Sequence, residues 1–187
     1  KDQKMCTPRY QDIGGADITS LTDDDGTHIR VVAGDYRGYK GPVDGIDTNP
    51  SYLDISLLPN VKKRFPFDTR RQGFAYIFEG SASFGNASAP FGVNVEKEFA
   101  GEELKIRDHS GNRTLVVFGE GDEVEVTAGE HGVRFLLISG APLREPVAWH
   151  GPIVMNTREE LHTAFAELNS GKFVKTGAEE FMNSRGR

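Results

Sequence analysis

The chain has 187 residues, 22 of them basic and 28 acidic, for a net charge of −6. That length fits one domain burying roughly 70% of its unfolded surface, so 12 Phe, 5 Tyr and 1 Trp suffice for a core without a disulfide or metal staple. The acidic balance argues against direct nucleic-acid binding, the lone Cys6 excludes an internal disulfide or a Cys-rich zinc site, and no apolar run approaches the roughly 20 residues of a membrane span.

Residues 1–13 are polar, contain Pro8 and lack an apolar h-region, so they read as a linker without a secretory signal. With one cysteine, the expected location is the cytoplasm. From residue 14 on, apolar positions recur mostly with a period of two, the signature of strands. Leu53, Ile55 and Leu57 alternate with Tyr52, Asp54 and Ser56. Phe74, Tyr76 and Phe78 share one face, as do Val124 and Val126, and each set is predicted to point inward. Segments 29–33, 115–118 and 133–138 are apolar on nearly both faces and are predicted to be central strands. Glycine-bearing turns separate these runs, at Gly26, Gly34, Gly38, Gly80, Gly129 and Gly140 among others. Short strands at such spacing predict an all-β sandwich or barrel over residues 14–155. Residues 84–113 are long and mixed, and read as an excursion with one short strand at 104–107.

The one firm helix starts after Thr157. Thr157 and Glu160 have capping-box spacing, in which each side chain satisfies a backbone amide left free at the helix start. Leu161, Ala164, Phe165 and Leu168 form one apolar stripe, predicted to lie on the barrel, and Gly171 ends the helix. Residues 156–173 thus form a helix and cap. Residues 174–187 form a tail, with a short second helix near 177–184.

The spacing of candidate catalytic groups is poor in chemistry. His28, His109, His131, His150 and His162 never fall in H-x-H or H-E-x-x-H patterns. His162 lies off the apolar stripe, and His109 and His131 sit in polar turns; all three are expected in solvent. The acidic turn 23–25 before His28 lacks the spaced ligands and closing Glu of a calcium loop. Segment 61–72, VKKRFPFDTRRQ, interleaves basic residues with Phe65 and Phe67, and reads either as a solvated hairpin end or as an acidic-partner site. Trp149 reads first as core.

Two longer matches go further. Residues 140–173, GAPLREPVAWHGPIVMNTREELHTAFAELNSGKF, resemble the C-terminal signature of the pirin family: Gly-x-Pro-Leu, Glu-Pro, Trp-x-Gly-Pro, Val-Met-Asn-Thr, a short amphipathic helix and Gly-x-Phe. KMCTPRYQDI and IRVVAGDYRGYKGPV are similar to the stretch joining that family's two domains and the start of the second. SYLDISLLPN and FAYIFEGSASFG fit the same second domain. The likeness covers nearly the whole chain and departs mainly at residues 84–113, where an insertion is expected.

Pirins are bicupins, with two β-barrels in one chain and iron in the first. The resemblance therefore implies a cupin-type double-stranded β-helix, standing alone as the C-terminal barrel of a longer protein. Counted back from Gly80, taken as the strand end, the family's His-x-His and following Glu fall on Pro66, Asp68 and Gln72. The later His-x-Glu falls near Arg134 and Leu136. This implies a lost metal pocket, no cofactor in this chain, and iron in the parent's N-terminal cupin. A structural or interaction role follows, beside that cupin or a second protein chain, or as a homodimer, with no membrane. Phe65, Phe67, Trp149 and His150 are the candidate docking surface. One alternative is a quercetin-type dioxygenase, with histidines and Asp68 converging on a metal. The other is a sandwich that binds a small molecule at the barrel mouth.

Overall fold

The structure, a computed structural model, describes Lys4, Cys6, residues 10–85 and residues 110–173. They group into two compact units: Ile13–Pro142, and Leu143–Arg187 with Lys1–Asp12. The predicted second helix, the strand at 104–107 and His109 lie outside the described residues.

Ile13–Pro142 is built on one antiparallel sheet. Its path runs through β1 (Thr19–Thr22), β2 (His28–Ala33), β5 (Ser51–Leu57), β10 (Glu123–Gly140), β7 (Gln72–Phe84) and β8 (Ser110–Gly111). β6 (Lys62–Pro66) joins β10, β9 (Thr114–Val117) joins β7, and β3 (Asp35–Tyr36) and β4 (Tyr39–Lys40) form a separate small hairpin. Two long strands carry the fold. The first half of β10 pairs with β6 and the second half with β5, while β7 follows β10 along both halves. Both crease at one level: Gly80 and Gly132 have φ of 71° and 77°, and the ladder shifts register between Ala128 and Val133. A Cβ on Gly80 would collide with the Gly132 carbonyl, so the crease requires glycine there. Gly80 therefore bends a strand that runs on to Phe84, where the sequence reading ended it.

The crease folds the sheet over one core. Phe65 and Phe84, from one half, meet Phe135 of the other edge-on, at centroid distances of 6.2 and 5.6 Å. Ile29, Ile55, Ile77 and Val126 are fully buried around them. Alternation was predicted correctly for Leu53, Ile55, Leu57, Val124 and Val126, all buried. It fails in β7. Ala75 and Ile77 are fully buried, while Tyr76 is 37% exposed and Phe74 and Phe78 are half-buried on the outer face. The reason is register: Ile77 pairs with Phe135 and Ala75 with Leu137, so these share the inner face, while Tyr76 pairs with Leu136 on the outer one. β9 is likewise not central, since Leu115 and Val117 are exposed. Asp54, predicted to point to solvent, is buried under a bidentate Arg134, with Oδ–N distances of 2.9 and 2.7 Å.

The other unit is a hairpin, β11 (Ala148–His150) with β12 (Ile153–Met155), followed by α1 (Arg158–Asn169). The capping box is present: Glu160 N donates to Thr157 Oγ1 at 3.1 Å, and Thr157 N to Glu160 Oε2 at 3.0 Å. Leu161 and Ala164 are buried with Ile153, and Ala148, Met155 and Phe165 flank them. Within this unit the stripe packs on its own hairpin, and the other compact unit runs from Ile13 to Pro142. Leu168 leaves the stripe, 44% exposed. Replacing Thr157 with alanine removes the cap and should cost this unit about 1 kcal/mol. Faster amide exchange in α1, with β5 and β10 unchanged, is the expected readout.

Candidate functional site

Three rows of inward residues climb the barrel from core to mouth. In the core row, Phe135 lies between Ile55 and Ile77. Above it Leu137 lies between Leu53 and Ala75, and at the rim Ser139 lies between Ser51 and Gly73. Side chains shrink and become polar toward the rim, so a cleft of about 610 Å³ opens there. Residues 34–50 form its far wall. Gly41 N donates to Gly34 O at 2.9 Å, and a Cβ on Gly41 would lie 2.6 Å from the Val32 carbonyl, so glycine lets this wall hug β2. Phe67, edge-on to Phe118 at 5.9 Å, and the loop 68–71 complete it.

Loop 68–71 carries the charges. Asp68 accepts from Arg70 Nε at 3.0 Å, Nη2 at 2.8 Å and N at 2.9 Å. The Arg70 side-chain hydrogen bond, then its backbone bond, hold the Asp68 carboxyl down at about 2. Arg71 lines the cleft. Its Nη1 lies 3.4 Å from Ser139 Oγ and its Nε 4.0 Å from Asp68 Oδ2.

At the acidic turn, Asp23 and Asp25 clasp the buried Lys63 ammonium, each 2.7 Å from Nζ. Tyr36 Oη donates to Asp23 at 3.1 Å, and Arg37 Nη1 reaches the same carboxylate at 3.1 Å. Lys62 and Arg64 pair outward with Glu125, at 2.8 Å each. The basic run 61–72 is therefore split among separate partners rather than gathered into one acidic-partner surface. Nothing in local spacing marks Lys63 as buried; only the strand alternation, with Lys63 and Phe65 on one face, hints at it.

The five counted ligand positions do not converge. Pro66 ends β6 with its side chain exposed, Gln72 is exposed at the start of β7, and Asp68 is held by Arg70. Arg134 and Leu136 lie on the outer face, Arg134 on Asp54 and over the Phe78 ring at 5.0 Å. A one-residue slip flips every strand side chain to the other face. Yet the inward neighbours, Gly73, Ala75, Phe135 and Leu137, offer no donor either. Iron, wanting two histidines and a carboxylate, does not fit the residues present. Among the described residues no three His, Cys, Asp or Glu side chains gather as a metal set. His28 sits beside Thr22 Oγ1 at 3.3 Å, and His131 and His162 are exposed.

The docking candidates separate as well. Phe65 is 1% exposed and belongs to the core, so it presents no surface. Phe67 lines the cleft. Trp149 is not core: it is 74% exposed and its Nε1 donates to Gly151 O at 2.8 Å. His150 stands edge-on to Phe165 at 5.3 Å. Part of the long C-terminal motif makes contacts within its own unit. Asn156 Nδ2 donates to Glu145 Oε2 at 3.1 Å and Pro146 O at 2.9 Å, tying the Glu-Pro segment to the helix cap.

Residues 52–174 match the model of the pirin C-terminal cupin domain. The chain is 34% identical to Pirin-1 of Arabidopsis thaliana, covering 91% of this chain and 53% of that protein. It is 33% identical to human Pirin, covering 91% and 52%. A crystal structure of quercetin 2,3-dioxygenase from Acinetobacter baumannii superposes with a TM-score of 0.71 at 27% identity, over 88% of this chain and 50% of that one. The chain spans about half the length of the curated relatives it matches. No helix among the described residues is long and apolar enough to cross a membrane.

Proposed function

Because the chain belongs to the pirin family and carries its C-terminal cupin domain, we propose that it acts as a non-catalytic barrel beside an iron-bearing N-terminal cupin, in the cytoplasm. The observation that carries this reading is the inner face of β6, β7 and β10. Phe65, Ala75, Ile77, Phe135 and Leu137 fill it, and none of these side chains can ligate a metal. The role left to such a barrel is structural: to pack against the first cupin or a second protein chain, or against its own copy. The net charge of −6 disfavours a direct phosphate-backbone partner.

Likeness to the Acinetobacter quercetin 2,3-dioxygenase favours a second reading, in which that activity belongs to the longer protein. Metal analysis and quercetin oxidation by the purified chain separate the two. No stoichiometric iron and no turnover are expected, with ferrous iron supplied. Stoichiometric iron lost on Asp68→Ala, or turnover by this chain alone, would overturn the non-catalytic reading.

A further inference from the structure

The barrel mouth holds a cation that its surroundings use little. The Arg71 side chain is only 19% exposed, against 88% for Arg70 and 62% for Arg64. A guanidinium has five N–H donors in a planar fork. Here one makes a long 3.4 Å contact with Ser139 Oγ, and Nε stands 4.0 Å from Asp68, whose oxygens already serve Arg70. Arg71 lines the cleft, and among the described residues Ser139 and Asp68 are its side-chain partners. Below them lie apolar walls, Leu53, Leu137 and Phe67, in a space of about 610 Å³, within the usual range of roughly 300–1,000 Å³ for small-molecule pockets.

The rim carries charges of both signs, Arg37 and Lys40 against Asp35 and Asp44, so the rim field selects no sign. Arg37 is moreover tied to Asp23 at 3.1 Å. What selects is Arg71 at depth, where partial desolvation strengthens a charge-assisted pair.

We propose that the cleft binds a small organic acid, with its carboxylate on Arg71 and Ser139 and its apolar body against Leu53, Leu137 and Phe67. The site needs no metal and does not rest on the role assigned to the domain. The fork geometry of guanidinium suits the two carboxylate oxygens, and the Ser139 hydroxyl donates to one of them.

Calorimetric titration of the chain with 3-phenylpropanoate, its amide and hexanoate tests this. Both acids should bind saturably, with Kd of roughly 0.1–1 mM, and the amide at least about 10-fold more weakly. Arg71→Gln should erase the preference for acid over amide. Arg71→Lys, which keeps the charge but loses the fork, should weaken the acids several-fold. Ser139→Ala should weaken the acids and leave the amide unchanged. Arg64→Gln, at an exposed pair elsewhere, should leave the acids unaffected. Urea midpoints establish that each variant is folded. Equal binding of acid and amide, undiminished acid binding by both Arg71 variants, or no saturable binding of either acid up to about 10 mM would each overturn the proposal.

Discussion

Lys63→Met will destabilise the barrel by about 3–5 kcal/mol at neutral pH, the usual cost of stranding buried charge by removing its partner. Lys63 is buried, and both carboxylates that hold it, Asp23 and Asp25, lie 2.7 Å from Nζ. Without the ammonium, Asp23 keeps Tyr36 and the exposed Arg37, and Asp25 keeps the Thr27 amide at 3.0 Å. Urea unfolding gives the number. The control is Lys62→Met, whose pair with Glu125 is surface-exposed and worth at most about 1 kcal/mol.

The pH dependence follows from the same cluster. Burial pushes the Asp25 carboxyl up, but the Lys63 hydrogen bond and the Thr27 contacts outweigh it and hold it at about 2, below the ordinary 3.8. Asp23 is lowered for the same reason, burial opposing and Lys63 prevailing. Carboxylates depressed on folding stabilise above their unfolded value and lose that contribution as pH falls through the folded one. Lys63 is raised, its hydrogen bonds to Asp23 and Asp25 overcoming burial, so its contribution persists until pH rises past its ordinary 10.5. The parent chain should therefore lose stability between about pH 4 and about pH 2. Lys63→Met should lose less there, because its unpaired carboxylates gain from protonation. A gap between the two chains that stayed constant from pH 7 to pH 3 would contradict the clasp.

Phe135→Ala should cost a similar 3–5 kcal/mol, through a different mechanism. Phe135 is fully buried and stands edge-on to both Phe65 and Phe84, joining the two halves of the folded sheet. Its loss forfeits transfer energy, two ring contacts and the packing around a void that backbone cannot fill. Leu137→Ala, one row higher, should cost less, because the space it lines already opens to solvent at the mouth. Midpoints from urea unfolding rank the two, and equal losses would mean that the core row is no more closed than the cleft.

What was legible in the residues was local or periodic. The capping box, the Gly171 stop and the alternation of β5 could each be read from a handful of neighbours. The faces of β7 could not. Hydrophobicity alone favours Phe74, Tyr76 and Phe78 as the inner set, and the opposite result depends on the register with β10, some sixty positions away along the chain. The same limit turned Arg134 and Leu136 outward, since strand register is set by partners and not by counting. The Lys63 clasp joins residues 38 apart, and local charge spacing describes them only as an acidic turn and a basic run. The cleft was least visible of all. It is a gradient across three strands, from Phe135 through Leu137 to Ser139, and appears only once their pairing is known.

The pairing at the end of β7 carries a further consequence. Ala82 lies beside Ser110, and Phe84 beside Val126, so the sheet holds Phe84 and Ser110, the flanks of the sequence between them, close together. The sheet has already met the entropy of bringing those ends together. Lengthening the intervening segment then adds only about 0.6 kcal/mol for each doubling. The β7–β8 junction is accordingly a natural grafting point, where evolution or an engineer can splice in new sequence while the barrel's register stays as it is.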